Sequence, residues 1–237
     1  MSKRTLFLFG LAIVLLSACN VVRGSGNVET ETREVRGFDQ VSLSGQGEII
    51  LTQGEREALE IEAEDNIIEV IETEVRGDTL HIGTRNNTLL QPTEPVRFYL
   101  TMDQIDGLKV SGSGDITADS VDADHLTMEI SGSGNMNIDS LIADSLEVDI
   151  SGSGHVEAEG RVPNQDIKIS GSGNYEAADL EGETVDVKVS GSGEATVWAS
   201  EALNVDISGS GQVNYYGNPA VNQDISGSGE LNSRGSR

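Results

Sequence analysis

Seven side chains able to hydrogen-bond or to ligate recur at one place in a repeated sequence. Asp115, Asn135, His155, Asn174, Glu194, Gln212 and Glu230 each directly follow a Ser-Gly-Ser-Gly tetrapeptide. Held in register, they would form a ladder along one edge that meets sugar hydroxyls or, through hard oxygen donors, a Ca²⁺ ion. They read equally as solvated positions flanking turns. The Gly-Gly-x-Gly-x-Asp signature of Ca²⁺-binding rolls is absent, so no metal and no cofactor are expected.

Catalysis finds less support. Lyases acting on acidic sugars need bases to hold a carboxylate and abstract a proton, yet His81, His125 and His155 are scattered. Lys168 and Lys188 share a register and are expected to pair with Asp149 and Asp206. Paired carboxylates of the glycosidase kind are not distinguishable by type among 40 acids. A phosphate loop needs a lysine after the glycines and a strand-to-helix step, and no repeat offers either. The expectation is a protein that is not an enzyme, with no catalytic residue. Among the few aromatics, Tyr175 and Tyr215 fall in inward register, whereas Trp198 and Tyr216 fall outside it and could contact a sugar ring or a partner.

The remaining reactive residue is the single cysteine. Lys3 and Arg4 precede an apolar stretch from Thr5 to Leu16, and Leu16-Ser17-Ala18-Cys19 follows. A stretch of about twelve residues is too short to span the ~30 Å hydrocarbon core as a helix, so it reads as a signal segment. Small residues before the only cysteine are where a bacterial lipobox places its modified thiol. The expected processing is cleavage before Cys19 and lipid attachment to it. Asn20 follows where Asp would favour inner-membrane retention, so an outer membrane is favoured in a two-membrane source. Residues 19–26 are expected to be the lipidated cysteine and a short tether.

Composition narrows the partners. The net charge is -25, from 15 basic against 40 acidic residues, and cleavage before Cys19 would deepen it by two. Such a surface repels nucleic acid and anionic headgroups, so lipid rather than protein charge would hold the chain to a membrane. One cysteine excludes a disulfide framework within the chain.

The elements that must position the ladder come from the repeat itself. The tetrapeptide starts at Ser111, Ser131, Ser151, Ser170, Ser190, Ser208 and Ser226, at spacings of 20, 20, 19, 20, 18 and 18 residues. Val110, Ile130, Ile150, Ile169, Val189, Ile207 and Ile225 stand immediately before it. Counting the first Ser as zero, apolar residues occupy -3, -1, +5 and +7, and the glycines +1 and +3. All are odd, which is the period of extended chain with one buried face. The glycines then lie inward, or at a bend needing positive φ, and the serines outward. Each period supplies two short strands joined at a glycine corner, with a second polar turn at places such as Ala123-Asp124 and Gly160-Arg161. A unit of about 20 residues cannot bury its own face, so units must stack. The prediction is an all-β fold: a parallel β-solenoid, or β-helix, of ~18–20-residue rungs with Ser-Gly-Ser-Gly corners. An antiparallel sandwich is the alternative.

Residues 27–105 follow the same pattern less regularly, and 106–237 hold the regular repeats. Ser44-Gly45-Gln46-Gly47 resembles a degenerate motif, Glu74 to Leu80 reads as a hairpin around Gly77-Asp78, Val96 to Met102 as a strand and Asp65 to Ile71 as a helical turn. Asn86 to Pro95 reads as a loop or an irregular rung. Nothing separates a second domain, so residues 27–237 form one unit whose N-terminal part continues or caps the stack. Open terminal rungs would expose strand edges and allow self-association, unless the polar tail Ser233 to Arg237 covers the last one.

A family resemblance rests on the ordered succession of motifs. The lipobox, Gly24-Ser25-Gly26-Asn27, Arg36-Gly37-Phe38-Asp39-Gln40-Val41, the Gln53-Gly54 turn, Leu59-Glu60-Ile61-Glu62-Ala63-Glu64-Asp65-Asn66 and the repeated tetrapeptides resemble the bacterial "putative auto-transporter adhesin, head GIN domain" family. The resemblance covers nearly all of the mature chain. It implies a β-solenoid on a secreted or lipid-anchored protein and carries no catalytic residues. The expected function is that of a cell-envelope lipoprotein with an adhesin-like binding or structural module, meeting a glycan or protein ligand. The alternatives are an envelope scaffold or sensor-associated protein and, third, a carbohydrate-active β-helix enzyme.

Overall fold

The computed structural model describes residues 21–85 and 88–237; the signal segment and Cys19 lie outside them. The repeats wind into a parallel β-solenoid of about six turns. The strand before one tetrapeptide pairs with the strand before the next. Gly107–Gly112 lies beside Val121–Gly132, and the ladder runs on through Asn135–Gly152, Asn164–Gly171, Asn174–Gly191 and Glu194–Gly209 to Ala220–Gly227. Every step is parallel and each tetrapeptide stacks on its like. A parallel neighbour one period later requires a complete coil between the two strands, which rules out the antiparallel sandwich.

The odd positions are the core. In one rung Val148, Ile150, Val156 and Ala158 are 0–1% exposed, and residues between them reach solvent. Like residues lie above like at ~4.8 Å, so β-branched side chains pack in continuous columns with little rotamer freedom to lose.

The two glycines of each corner have different roles. The first, Gly152 for example, has φ +128 and turns the chain; a Cβ there would lie 2.4 Å from the carbonyl oxygen of Gly132 one turn below. The second, Gly154, is buried, and a Cβ on it would lie 2.5 Å from Cγ2 of Ile130. The backbone N–H of Ser153 donates to that same Gly132 carbonyl at 2.8 Å, so the corner is itself a hydrogen-bonded ladder.

The second bend departs from the polar turn expected. Asn135–Gly152 and Asn174–Gly191 are continuous bent strands of 18 residues each, with Leu141, Ala143 and Leu180 buried at the bend. Register shifts after Ile138, Glu157 and Ala177 mark the bend. Irregularities of this kind turn a strand and absorb an extra residue, which lets rungs of unequal length stack without disturbing the corner.

Ser44-Gly45-Gln46-Gly47 belongs to the first turn. Gln40–Gly45 pairs in parallel with Gly107–Gly112, and Glu48–Gln53 with Asp115–Ala118. The chain then folds to the other side of this turn before returning. Thr79–Thr84 and Arg97–Met102 pair in parallel with its outer edges. They are closed off by antiparallel partners: Ile71–Arg76 on Thr79–Thr84, Ala58–Glu64 on Arg97–Met102, and Val28–Arg33 on Ala58–Glu64. Hairpin, helical turn (Asp65–Ile68) and strand stand where the sequence suggested.

The stretch read as a tether is partly built in. Val21–Arg23 pairs in parallel with Leu89–Gln91, a strand within the segment expected to be a loop or an irregular rung. Beyond it Gly24 leaves room for the buried Glu64, whose carboxylate accepts from the Gly26 N–H (2.6 Å), the Thr93 N–H (2.9 Å) and the Thr93 hydroxyl (2.6 Å). The Thr93 hydroxyl above all, aided by backbone amides, outweighs burial and holds Glu64 below its ordinary value of 4.5. Because the folded value is depressed, this contribution to stability is complete above the unfolded value and is lost as pH falls below about 4.5 through the folded one. Glu64→Gln is expected to lower Tm at pH 7 and to flatten the fall in Tm between pH 5 and 3. Tm curves against pH that run parallel for the two proteins would show that Glu64 does not carry this dependence.

The far end is open. Ala220–Gly227 and Glu230–Ser233 pair only with the turn below, and Val221 is 41% exposed. The polar tail does not cover this edge. Arg234 donates to Asn214 Oδ1, and Arg237 reaches back to Asp179 and over the Tyr216 ring, so the tail runs along the side of the coil.

Candidate functional site

Parallel stacking in register converts the seven residues after the corners into one column. Asp115, Asn135, His155, Asn174, Glu194, Gln212 and Glu230 are successive register partners. Glu48 extends the column one turn further, a member signalled by the degenerate Gln46-Gly47 but passed over in the sequence. Two residues along each strand runs a second column on the same outward face: Thr117, Asn137, Glu157, Glu176, Thr196, Asn214 and Asn232. Period-2 alternation alone could have found it, since its members directly follow the inward +5 residues. Each rung thus offers two hydrogen-bonding side chains.

Part of this capacity is used internally. The Asn135 Nδ2 donates to Asp115 Oδ1 at 2.6 Å, Asn214 Nδ2 to Glu194 Oε1 at 2.7 Å, and Gln212 Nε2 to Asn214 Oδ1 at 2.9 Å. His155, Asn174, Glu157 and Glu176 make no side-chain bond among the described residues, so the middle of the face has its polar groups turned to solvent. Among the described residues, no group of three or more His, Cys, Asp or Glu side chains is placed to hold a metal ion.

On the other side of the corner the strands preceding it present a charged face. Lys168 lies at 2.8 Å from Glu147 and 3.2 Å from Asp166, and Lys188 at 3.6 Å from Asp206. The Asp206 pairing is as expected; Asp149 is not the partner of Lys168. Asp149 stands directly opposite in register but accepts from the Ser151 hydroxyl, and the long lysine stem crosses to the next column. The Lys168 ammonium holds the Glu147 carboxyl below its ordinary value. These exposed pairs contribute little to stability.

A groove of about 430 Å³ lies on this charged face at the capped end. It exists because Gly107 interrupts the column between Gln40 and Thr127, and a Cβ there would come within 3.0 Å of the Gln40 side chain. Gln40, His81, Lys109, Thr127, Glu129 and Asp106 surround it. Asp106 stacks with Asp39, whose carboxyl is pushed above its ordinary value by burial and by the charges of Asp106 and Asp78. The seven ladder residues do not line this groove. A glycine in an outward column is the signal that could have located it.

Of the aromatics, Tyr175 is fully buried and Tyr215 packs against the core, as their register predicts. Trp198 and Tyr216 are neighbours in register; both are half-buried, and Arg237 lies 5.1 Å from the Tyr216 ring centre. The exposed aromatic platform considered in the sequence is therefore largely covered.

A family model described as "Putative auto-transporter adhesin, head GIN domain" matches residues 37–219. The chain belongs to that family. Among solved structures, the GIN-domain chain is similar to "a putative adhesin" from Bacteroides fragilis, with 26% identity and TM-score 0.83 over 90% of this chain and 99% of that one. It is also similar to a "putative adhesin" from Parabacteroides distasonis, with 25% identity and TM-score 0.73 over 90% and 100%. A "putative lipid binding protein" from the same organism shares the fold at 24% identity and TM-score 0.78, over 90% and 99%. No curated protein matches. Among the described residues of this GIN-domain chain, no helix is long and apolar enough to cross a membrane.

Proposed function

We propose that this GIN-domain chain is a cell-envelope lipoprotein, held by lipid on Cys19 and favouring an outer membrane, that binds an external glycan or protein without turnover. One observation carries the reading: two hydrogen-bonding columns repeat in register along a rigid coil, and their central members His155, Asn174, Glu157 and Glu176 are not tied to one another. A periodic row of donors and acceptors suits a ligand with its own repeat, such as a chain of hydroxyl-bearing sugars, and multiplies weak contacts through avidity. Catalysis asks instead for convergent acid, base or nucleophile at one point, and a column along a rod spreads such groups apart. The family and the adhesin-described neighbours support the binding role.

The test is binding of residues 20–237 to glycan and matrix-protein arrays with and without Ca²⁺. Saturable binding that drops at least tenfold in His155→Ala/Asn174→Ala, with unchanged Tm, is the expected result. A blank array from folded protein overturns the adhesin-like reading and favours the second one, an envelope scaffold whose partner is a protein of the same cell. Release of a cleaved product would instead establish the enzyme. The open last turn favours self-association as a further property, visible as a concentration-dependent mass.

A further inference from the structure

One outward position of the coil lacks a side chain, and the gap lies among groups with unused hydrogen-bonding capacity. The column that holds Gly107 carries a polar side chain in every later turn, from Thr127 and Glu147 to Asn222. At Gly107 the missing side chain opens the groove of about 430 Å³ between Gln40 and Thr127, a volume in the range of small-ligand sites. Two different rows bound it. On one side Asp78, Asp39 and Asp106 stack, the Asp39 N–H donating to the Asp78 carbonyl and the Asp106 N–H to the Asp39 carbonyl. On the other, His81, Ser42, Lys109 and Glu129 are successive register partners.

The rows differ in charge balance. Glu129 neutralises the Lys109 ammonium, whereas no cation pairs with the three aspartates among the described residues, and Asp39 Oδ1 is buried without a hydrogen-bond partner. Burial, reinforced by the charges of Asp106 and Asp78, already pushes the Asp39 carboxyl above its ordinary value; a cation beside the exposed Asp106 relieves that repulsion. Among the described residues no acidic group is arranged to hold a metal ion, so the cation that fits is an organic ammonium. Ser42 indicates what else the ligand carries. It is 6% exposed and lines the groove, yet its hydroxyl has no hydrogen-bond partner among the described residues. A buried hydroxyl left unpaired calls for a partner from the occupant. The Thr79 hydroxyl donates to Gln40 Oε1 at 3.4 Å, which leaves Gln40 Nε2 free to donate. Val41 and Leu108, the apolar residues at the groove, are 1% exposed, so an aliphatic chain finds no apolar wall there.

We propose that this groove binds an amino sugar with a free ammonium group, the ammonium meeting Asp106 and the ring hydroxyls meeting Ser42 and Gln40. The net charge of -25 adds a long-range attraction for the same cation. None of the seven ladder residues lines the groove, so binding here is independent of binding along the polar columns.

The test is calorimetric titration of the full chain, expressed in a bacterial host and purified in detergent, with glucosamine, N-acetylglucosamine, glucose and methylamine. Glucosamine is expected to bind at least tenfold more tightly than each of the others, which lack either the charge or the hydroxyls. Gly107→Thr, which supplies the side chain that the next turn carries, is expected to abolish this binding with Tm unchanged, because Gly107 has no positive φ and a Cβ there meets only the flexible Gln40 side chain. Asp106→Asn, at an exposed position, is expected to weaken it at least tenfold and decides the matter should Gly107→Thr not fold. Glucose or N-acetylglucosamine binding as tightly as glucosamine overturns the ammonium assignment, and methylamine doing so overturns the sugar. No binding of glucosamine overturns the site, as does an affinity unchanged in Asp106→Asn, which would mean diffuse attraction to an acidic surface.

Discussion

Gly152→Val is expected to lower Tm by roughly 10 °C, whereas Ser153→Ala next to it leaves Tm within about 2 °C. Gly152 adopts φ +128, a region where a side chain costs about 1–3 kcal/mol. Its first side-chain atom would also lie 2.4 Å from a carbonyl oxygen of the turn below. That oxygen is backbone and accepts the Ser153 N–H, so it cannot withdraw without breaking the corner ladder. Overpacking adds about 1–3 kcal/mol more, and a chain of this length loses ~2–4 °C per kcal/mol. The Ser153 side chain is exposed, and exposed positions change stability by about 0.5 kcal/mol at most. Gly152→Ala carries the same clash and should show most of the loss. Thermal melts of the three variants decide the matter; equal shifts for Gly152→Val and Ser153→Ala would refute the account of the corner.

Tyr175→Ala is expected to cost about 3–5 kcal/mol, the range for deleting a buried aromatic, and Tyr175→Phe about 1 kcal/mol. Tyr175 is completely buried. Its hydroxyl lies 3.4 Å from Oε1 of Gln165, itself buried, whose Nε2 donates to the Val162 carbonyl at 3.2 Å. Removing the ring leaves a cavity and a buried amide without its partner; removing only the hydroxyl leaves the amide oxygen unsatisfied. Burial also pushes the phenol far above its ordinary value, so a spectrophotometric titration of the folded protein should gain no signal from Tyr175, and Tyr175→Phe should leave the titration curve unchanged. A Tyr175→Ala protein as stable as Tyr175→Phe would mean that the site collapses around the gap.

These two positions differ in how far the chain alone reveals them. The inward register of Tyr175 follows from period-2 alternation, and so does the glycine corner at Gly152, because every turn must repeat the same in-and-out order. Why a tyrosine fits where other turns place Ile116, Met136 or Val213 does not follow from alternation. It fits because its column neighbours are Val156 and Ala195 and because Gln165 turns inward beneath its hydroxyl. Those are contacts between residues ten to twenty positions apart, visible only after the turns are stacked. The groove at Gly107 and the change of partner by Lys168 are of the same kind.

The sequence by itself determined which positions are buried and where the corners fall: a period near 20, a fixed alternation and a glycine corner point to a coil, and parallel stacking then places the seven ladder residues in one column. The tertiary structure decided the ends and the bends. The chain's return beneath its own first turn, the antiparallel cap, the strand Val21–Arg23 that removes slack from the tether and the uncovered last turn all depend on pairings between distant segments. Local pattern specifies which face of a strand is buried, but it carries no information about which edge finds a partner.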